Sequence, residues 1–303
     1  MDNVFNDTFF AMGTRCDVVL PSVEQEFGEQ IFQLIKTETK DLENKLSRFI
    51  PDSEVSQLNN TPRKTWISVS EDLWEILTVC YELYQMSNGA FDITATPLIS
   101  LWKRTVSPSL TEIENARRIS GFDKVELDFE NSRIRFAEDK MEFDFGAIGK
   151  GIALDKLKPV LIGQGTKNGI VSFGESSILA LGNHPEGDYW PLGIRNLLNN
   201  EEFIHVFKAK DETVTTSGTI LISDTGEIIK RHHIVSPETG MTIQGNISIS
   251  VKSDSATFGE FLSTVWLILP ENDKNLLAEK LKNTEILEVE YTEEDIKTKL
   301  TIL

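Results

Sequence analysis

The stretch Met141-Glu-Phe-Asp144-Phe-Gly146-Ala-Ile-Gly149-Lys150-Gly151-Ile-Ala-Leu-Asp155 limits what this chain can fold into more than any other. A short apolar strand runs into a glycine-rich turn, and a helix with apolar Ile152, Leu157, Val160 and Leu161 follows. Glycine lets a backbone pass close to a ligand, and an opening helix offers unpaired N–H groups to an anion. Lys150 sets a mobile cation beside them, so phosphate or pyrophosphate is the guest this chemistry favours. A glycine-softened turn with a solvated lysine accounts for the same residues. Neither familiar phosphate loop is present. A Walker loop reads G-x-x-x-x-G-K-[ST], whereas only Ala147 and Ile148 separate Gly146 from Gly149, and Gly151 stands where the hydroxyl should be. The G-x-G-x-x-G fingerprint is not met either.

A net charge of −18 over 303 residues argues against nucleic acid or an anionic membrane as the main partner. An acidic chain that binds a phosphorylated ligand must neutralise it locally, with N–H groups, a lysine or a metal. Cys16 and Cys80 are too few for a disulfide framework or a zinc cluster and read as buried thiols. No apolar run is long enough to span a bilayer, and the first residues lack a signal-peptide pattern. The chain is therefore expected to be cytoplasmic, or periplasmic or membrane-anchored if an export leader has been removed.

Along the chain, Phe9 to Leu20 predicts one strand, and Ser22 with Gln25 a capping box before a long helix striped by Phe27, Ile31, Leu34, Ile35, Leu42 and Leu46. Leu46 to Asn59 is polar and turn-rich around Pro51. A second helix is predicted from Ser70 to a stop at Asn88-Gly89. A loop then enters a short helix at Pro97, Thr111-x-x-Glu114 is a further capping box, and 133–136 a strand. Short strands dominate beyond residue 169, before a helix from about Thr257 to Leu269. Helices first and strands later predict an α+β fold of mostly antiparallel, mixed sheets with packed helices. A single domain over 5–303 is expected, helix-rich to about 140 and strand-rich after it.

Glu260, Ser263 and Thr264 fall at i, i+3 and i+4, so their oxygens share one helix face and suit Mg²⁺ or Ca²⁺. Thr257-x-x-Glu260 also reads as a capping box, which explains the glutamate without a metal. His232-His233 ends a strand, where a histidine serves as a base, a ligand contact or a structural residue. Gly174-Glu-Ser-Ser177 lacks the second glycine of a nucleophile elbow. Thr215-Thr-Ser-Gly218 reads as turn chemistry.

In order, these pieces resemble the FAD:protein FMN transferases, the ApbE-like flavin transferases. The resemblance rests on Ala11-Met-Gly-Thr14, Leu46-Ser-Arg-Phe49, Gly89-Ala-Phe-Asp92, Asp144 to Gly151 with Asp155, Thr216-Ser-Gly218, His232-His-Ile234 with Pro237, and Leu262-Ser-Thr264. It implies an ApbE-like fold with the flavin site between the two halves. It also implies Mg²⁺-dependent transfer of FMN from FAD to a Ser or Thr hydroxyl of a target flavoprotein, with release of AMP. The same chemistry with water as acceptor would split FAD into FMN and AMP, and loss of catalysis would leave a FAD-binding protein. Residue by residue, the resemblance implies flavin or adenine contacts at Met12, Phe49, Ala90, Phe91 and Asp92, and FAD contacts at Asp144, Lys150 and Ile234. Metal ligands are implied at the Ala147 carbonyl, Glu260, Ser263 and Thr264. Catalytic roles are implied for His233, as activator of the accepting hydroxyl, and for Lys150. The chain departs from the pattern with Glu260 and Ser236 in place of aspartates and Gly174-Glu-Ser-Ser177 in place of Gly-Gly-Asp.

Overall fold

The computed structural model describes residues 3–222, 228–230, 234–292 and 295–303. The expected first strand is two strands, β1 (Val4–Ala11) and β2 (Thr14–Pro21), paired around Met12-Gly13. Both turn residues have positive φ, 52° and 71°. Such a turn follows the natural twist of a hairpin and favours glycine in its second place. Met12 therefore leaves the ladder and stands at a hairpin tip.

Helix α1 (Gln25–Leu46) buries Ile31, Phe32, Ile35, Leu42 and Leu46. The expected Ser22–Gln25 box is absent. Ser22 belongs to the hairpin, its N–H donating to the Asn3 carbonyl at 2.7 Å, and the helix starts after Glu24 without a side-chain cap. The polar stretch beyond Pro51 contains a further helix, α2 (Glu54–Asn60), started by the Ser53 hydroxyl accepting the Ser56 N–H. Strand β3 (Ile67–Ser68) precedes α3 (Glu71–Met86), which Ser70 caps as expected. Asn88 and Gly89, both left-handed, follow its end. Pro97 sits in the first turn of α4 (Thr96–Arg104). Helix α5 (Leu110–Arg118) starts earlier than the Thr111 box implies, because Ser109 and Glu112 make both capping-box bonds directly after Pro108. Strands β4 (Val125–Asp128) and β5 (Arg133–Phe136) join β3 in a small sheet.

The second half begins with α6 (Gly149–Gly163), then β6 (Gly169–Phe173) and β7 (Ser177–Leu181). A ribbon of β8 (Trp190–Asn196) and β9 (Asn199–Ala209) follows, then β10 (Glu212–Gly218). Strands β11 (Ile220–Ile222) and β12 (Ile228–Lys230) pair with each other, and β13 (Ile247–Ser253) returns to the main sheet. Helices α7 (Ala256–Ile268) and α8 (Glu271–Ala278) precede β14 (Glu285–Tyr291) and β15 (Ile296–Ile302). The main sheet has eight strands in the order β1-β2-β6-β7-β10-β13-β14-β15. Every strand pairing among the described residues is antiparallel. The fold is α+β.

Helix α7 is buried at most of its positions and lies on β10 and β13 with α6 against its side. A helix apolar on nearly all sides belongs inside. α6 crosses the start of α7 so closely that a Cβ on Gly151 would stand 2.6 Å from the Ala256 carbonyl oxygen. Glycine at 151 is thus needed for helix packing rather than for approach of a ligand. One buried cluster runs from Phe5 and Phe9 through Phe91 and Phe143 to Phe261 and Trp266, joining first-half and second-half elements. Cys16 and Cys80 are buried free thiols. Burial pushes the Cys16 thiol up to about 12 and raises that of Cys80 as well, so both stay protonated at neutral pH. Among the described residues no helix is long and apolar enough to cross a membrane.

Candidate functional site

The site starts from a clamp between α6 and α7. Asp155 on α6 accepts hydrogen bonds from the Ser255 hydroxyl at 2.6 Å, the Ala256 N–H at 2.7 Å and the Thr257 N–H at 2.9 Å. Ser255 is itself the N-cap and accepts the Phe258 N–H at 3.2 Å. The donors that every helix start leaves unpaired are met here from another helix. The reading of Thr257-x-x-Glu260 as a capping box is therefore corrected. Thr257 lies inside the helix, and Glu260 faces away from its start.

Glu260 meets the lysine of the glycine-rich turn. Its Oε1 accepts from Lys150 Nζ at 2.7 Å and from the Ser177 hydroxyl. Lys150 also donates to Ser177 Oγ at 2.7 Å and Ser176 Oγ at 3.2 Å. The Lys150 side chain is 23% exposed and that of Glu260 6%. Lys150 is not a solvated lysine; it compensates a buried carboxylate. Glu260 Oε2 is buried with no hydrogen-bond partner among the described residues.

A shelf of hydroxyls lies beside this pair. Ser217 Oγ is 2.8 Å from Ser263 Oγ and 3.3 Å from Thr264 Oγ1, and the Ser263 hydroxyl donates to the Glu260 carbonyl at 3.1 Å. Among the described residues no three His, Cys, Asp or Glu side chains gather as a metal site. The residues present nevertheless fit a hard divalent cation that keeps several waters, through one orphaned carboxylate oxygen, neutral hydroxyls and the Ala147 carbonyl.

The opposite wall comes from the first half. Arg48 Nε donates to Asp144 Oδ2 at 2.8 Å, and the Gly146 N–H donates to Asp144 Oδ1 at 2.8 Å. Asn59 grips the Phe143 backbone from both sides, donating to its carbonyl at 2.9 Å and accepting its N–H at 2.8 Å. The expected strand before the glycine turn does not form; residues 141–145 belong to no sheet, and the Asn59 bonds hold this segment in place instead. The Arg48 guanidinium lies 4.3 Å from the centre of the Phe49 ring, which is 74% exposed. Asp92 Oδ1 accepts the Thr94 N–H and hydroxyl, each at 2.7 Å, while Oδ2 has no partner among the described residues. Burial outweighs the Thr94 bonds and pushes this carboxyl up to about 6.

These walls enclose a cavity of about 570 Å³, within the usual range for small-molecule sites. Met12, Phe49, Ala90, Phe91, Asp92, Asp144, Ala147, Lys150, Ile234, Glu260 and Thr264, all singled out from sequence, line it. Ser263 does not reach it. That residue is fully buried one layer behind, with Ser217 in front. His232 and His233 lie outside the described residues. Ser176, Ser177, Ser217, Asp155 and Arg48 are partners that sequence reasoning did not assign. For Ser217 a signal existed in the Thr215-Thr-Ser-Gly218 hydroxyl run, which reads as an ordinary turn until the strand's neighbours are known.

The fold and cavity define an α+β protein of a known architecture. The flavin transferase ApbE of Vibrio cholerae superposes with a TM-score of 0.84 over 99% of this chain and 98% of that one, at 20% identity. The ApbE protein of Thermotoga maritima gives a TM-score of 0.82 over 97% and 96%, at 25% identity. The FAD:protein FMN transferase of Haemophilus influenzae is 27% identical over 267 residues, 84% of this chain and 76% of that protein. Its counterpart of the same name in Buchnera aphidicola is 25% identical over 278 residues, 88% and 80% of the two chains. Residues 12–287 match the model of the ApbE family, and the chain belongs to that family.

Two outcomes follow from the geometry. Asp155→Ala removes the cap that α6 provides, so thermal unfolding should show a loss of about 1–2 kcal/mol, with weaker ligand binding because Lys150 and Glu260 lose their register. An unchanged melting curve would dismiss the clamp. For Asp92, the folded carboxyl holds its proton more tightly than the unfolded one. Its contribution to stability is therefore greatest at low pH and falls as pH rises from about 4 through about 6. Asp92→Asn should match the parent near pH 4 and be more stable above pH 7. A melting difference that stays constant over that span would contradict the raised value.

Proposed function

We propose that this chain transfers the FMN half of FAD to a Ser or Thr hydroxyl of a target flavoprotein, releasing AMP, with Mg²⁺ as the divalent cation. The observation that carries this reading is the Lys150–Glu260 pair, with its orphaned Oε2, at the polar end of a cavity that also holds Met12, Phe49 and Phe91. The names of the relatives support it, as FAD:protein FMN transferases and flavin transferases.

In this reaction the acceptor oxygen bonds to the phosphorus on the riboflavin side, the bridging P–O bond breaks, and AMP leaves with the electron pair. The hydroxyl proton passes to a base. We assign that base to His233 on the resemblance to the family. Such a displacement is mainly a matter of position and charge. Lys150 aims Glu260 and offsets its buried charge. Glu260 Oε2, Thr264, Ser217 and the Ala147 carbonyl would hold Mg²⁺, with Ser263 fixing Ser217 from behind. When bound, the cation neutralises charge on the pyrophosphate. Met12, Phe49 and Phe91 supply apolar surface for a planar ring system. Arg48 fixes Asp144 for contact with the ligand.

Incubation with FAD, Mg²⁺ and a candidate acceptor flavoprotein domain tests this directly. Flavin fluorescence that stays with the denatured acceptor, matched mole for mole by AMP, is the expected result. Free FMN and AMP without labelled protein would replace the transferase with a FAD hydrolase. Intact FAD would overturn both and leave a FAD-binding protein.

A further inference from the structure

A second cleft, of about 320 Å³, opens beside the reaction cavity. Ala90 and Ile268 line both spaces. Residues 235–238 divide them, with Val235 and Pro237 lining the larger cavity and Ser236 and Glu238 the smaller. On α7, Ile268 follows Thr264 by one turn, so about 6 Å of helix separates the cleft from the hydroxyl shelf. An extended peptide crosses that distance in about two residues. Of the residues carried over as ligand or metal contacts, only Ala90 belongs to the cleft.

The cleft has its own chemistry. Met86 is 38% exposed and Leu276 59%, forming an apolar surface above buried Leu277. Glu238 and Asp273 are exposed there, and neither makes an ion pair with another described residue. Among the described residues that line the cleft one cation, Lys280, is present. Helices α3 and α7 both end at this cleft and α8 begins at it, so the negative potential of two helix C-termini outweighs that of one N-terminus, whose first turn carries Asp273. The whole chain carries a net charge of −18, which draws in a basic partner from a distance.

We infer that this cleft docks the acceptor polypeptide beside its reacting hydroxyl, by seating a lysine or arginine side chain about two to three residues from the acceptor Ser or Thr. The aliphatic stem lies along Met86 and Leu276, and the charged head meets Glu238 and Asp273. This rests on the transferase reading for the identity of the occupant. It adds where the partner sits and which side chain it presents.

The test uses the full chain with FAD and Mg²⁺ and two labelled short peptides of Gly, Ala and Gln around one Thr. One peptide carries Lys two and three residues to either side of the Thr, the other Glu at the same places. Fluorescence anisotropy at low and high salt reads binding, and FAD titration without peptide reads the reaction cavity separately. The Lys peptide should bind at least about 10-fold more tightly than the Glu peptide, with the preference fading in high salt. In the Glu238→Lys/Asp273→Lys variant the preference should vanish while FAD affinity matches the parent, since both side chains are exposed and outside the reaction cavity. Equal affinity for the two peptides, or a preference that survives the double reversal, would overturn the docking site. Failure of the parent to bind FAD would overturn the transferase reading instead, whatever the peptides show.

Discussion

A lysine ammonium and a glutamate carboxylate 2.7 Å apart, largely out of water, set the terms for the rest of this structure. Burying either charge alone costs several kcal/mol, so the two must arrive together and stay aligned. The chain meets that demand with devices far apart in sequence. Gly151 lets α6 approach the start of α7 within the space of a missing Cβ. Asp155, on the same helix as Lys150, takes over the capping of α7, which carries Glu260. Ser177, at the start of β7, bonds both members of the pair. One carboxylate oxygen is then fully occupied and the other is left with no partner among the described residues. That asymmetry leaves one carboxylate oxygen free to meet a ligand in the cavity.

The two halves of the chain divide the work around it. The second half supplies charge and hydroxyls, through Lys150, Glu260, Ser217 and Thr264. The first half supplies ring-sized apolar surface and a braced carboxylate, through Met12, Phe49, Phe91 and the Arg48–Asp144 pair. The tip of the β1–β2 hairpin carries Met12 to the cavity, and the buried cluster that crosses both halves keeps the walls in one frame.

Much of this was legible in the sequence where the signal was local. The glycine turn and lysine of residues 146–151 marked one wall of the candidate site, although the apolar residues before them form no strand, and the i, i+3, i+4 spacing put Glu260 and Thr264 on one face. What stayed hidden was non-local. A cap delivered to α7 by a residue 101 positions away leaves no pattern at the helix start, so Thr257 and Glu260 imitated a capping box. Gly151 looked like a glycine made for a ligand because its real neighbour, the Ala256 backbone, is also remote along the chain. Ser263 shared the right helix face, yet the strand bearing Ser217 slides between it and the cavity. The break at Met12-Gly13 was missed because hydrophobic alternation continues on both sides of a tight hairpin.

Lys150 and Glu260 thus act as one charge-compensated unit. A double-mutant cycle of Lys150→Met and Glu260→Gln, read by denaturant unfolding of the ligand-free protein, tests it most directly. Each single change should destabilise markedly, because it strands a buried charge or a buried polar partner. The double change should cost less than the sum, by about 2 kcal/mol. Additive losses, within about 0.5 kcal/mol of the sum, would show two independent side chains and contradict the claim.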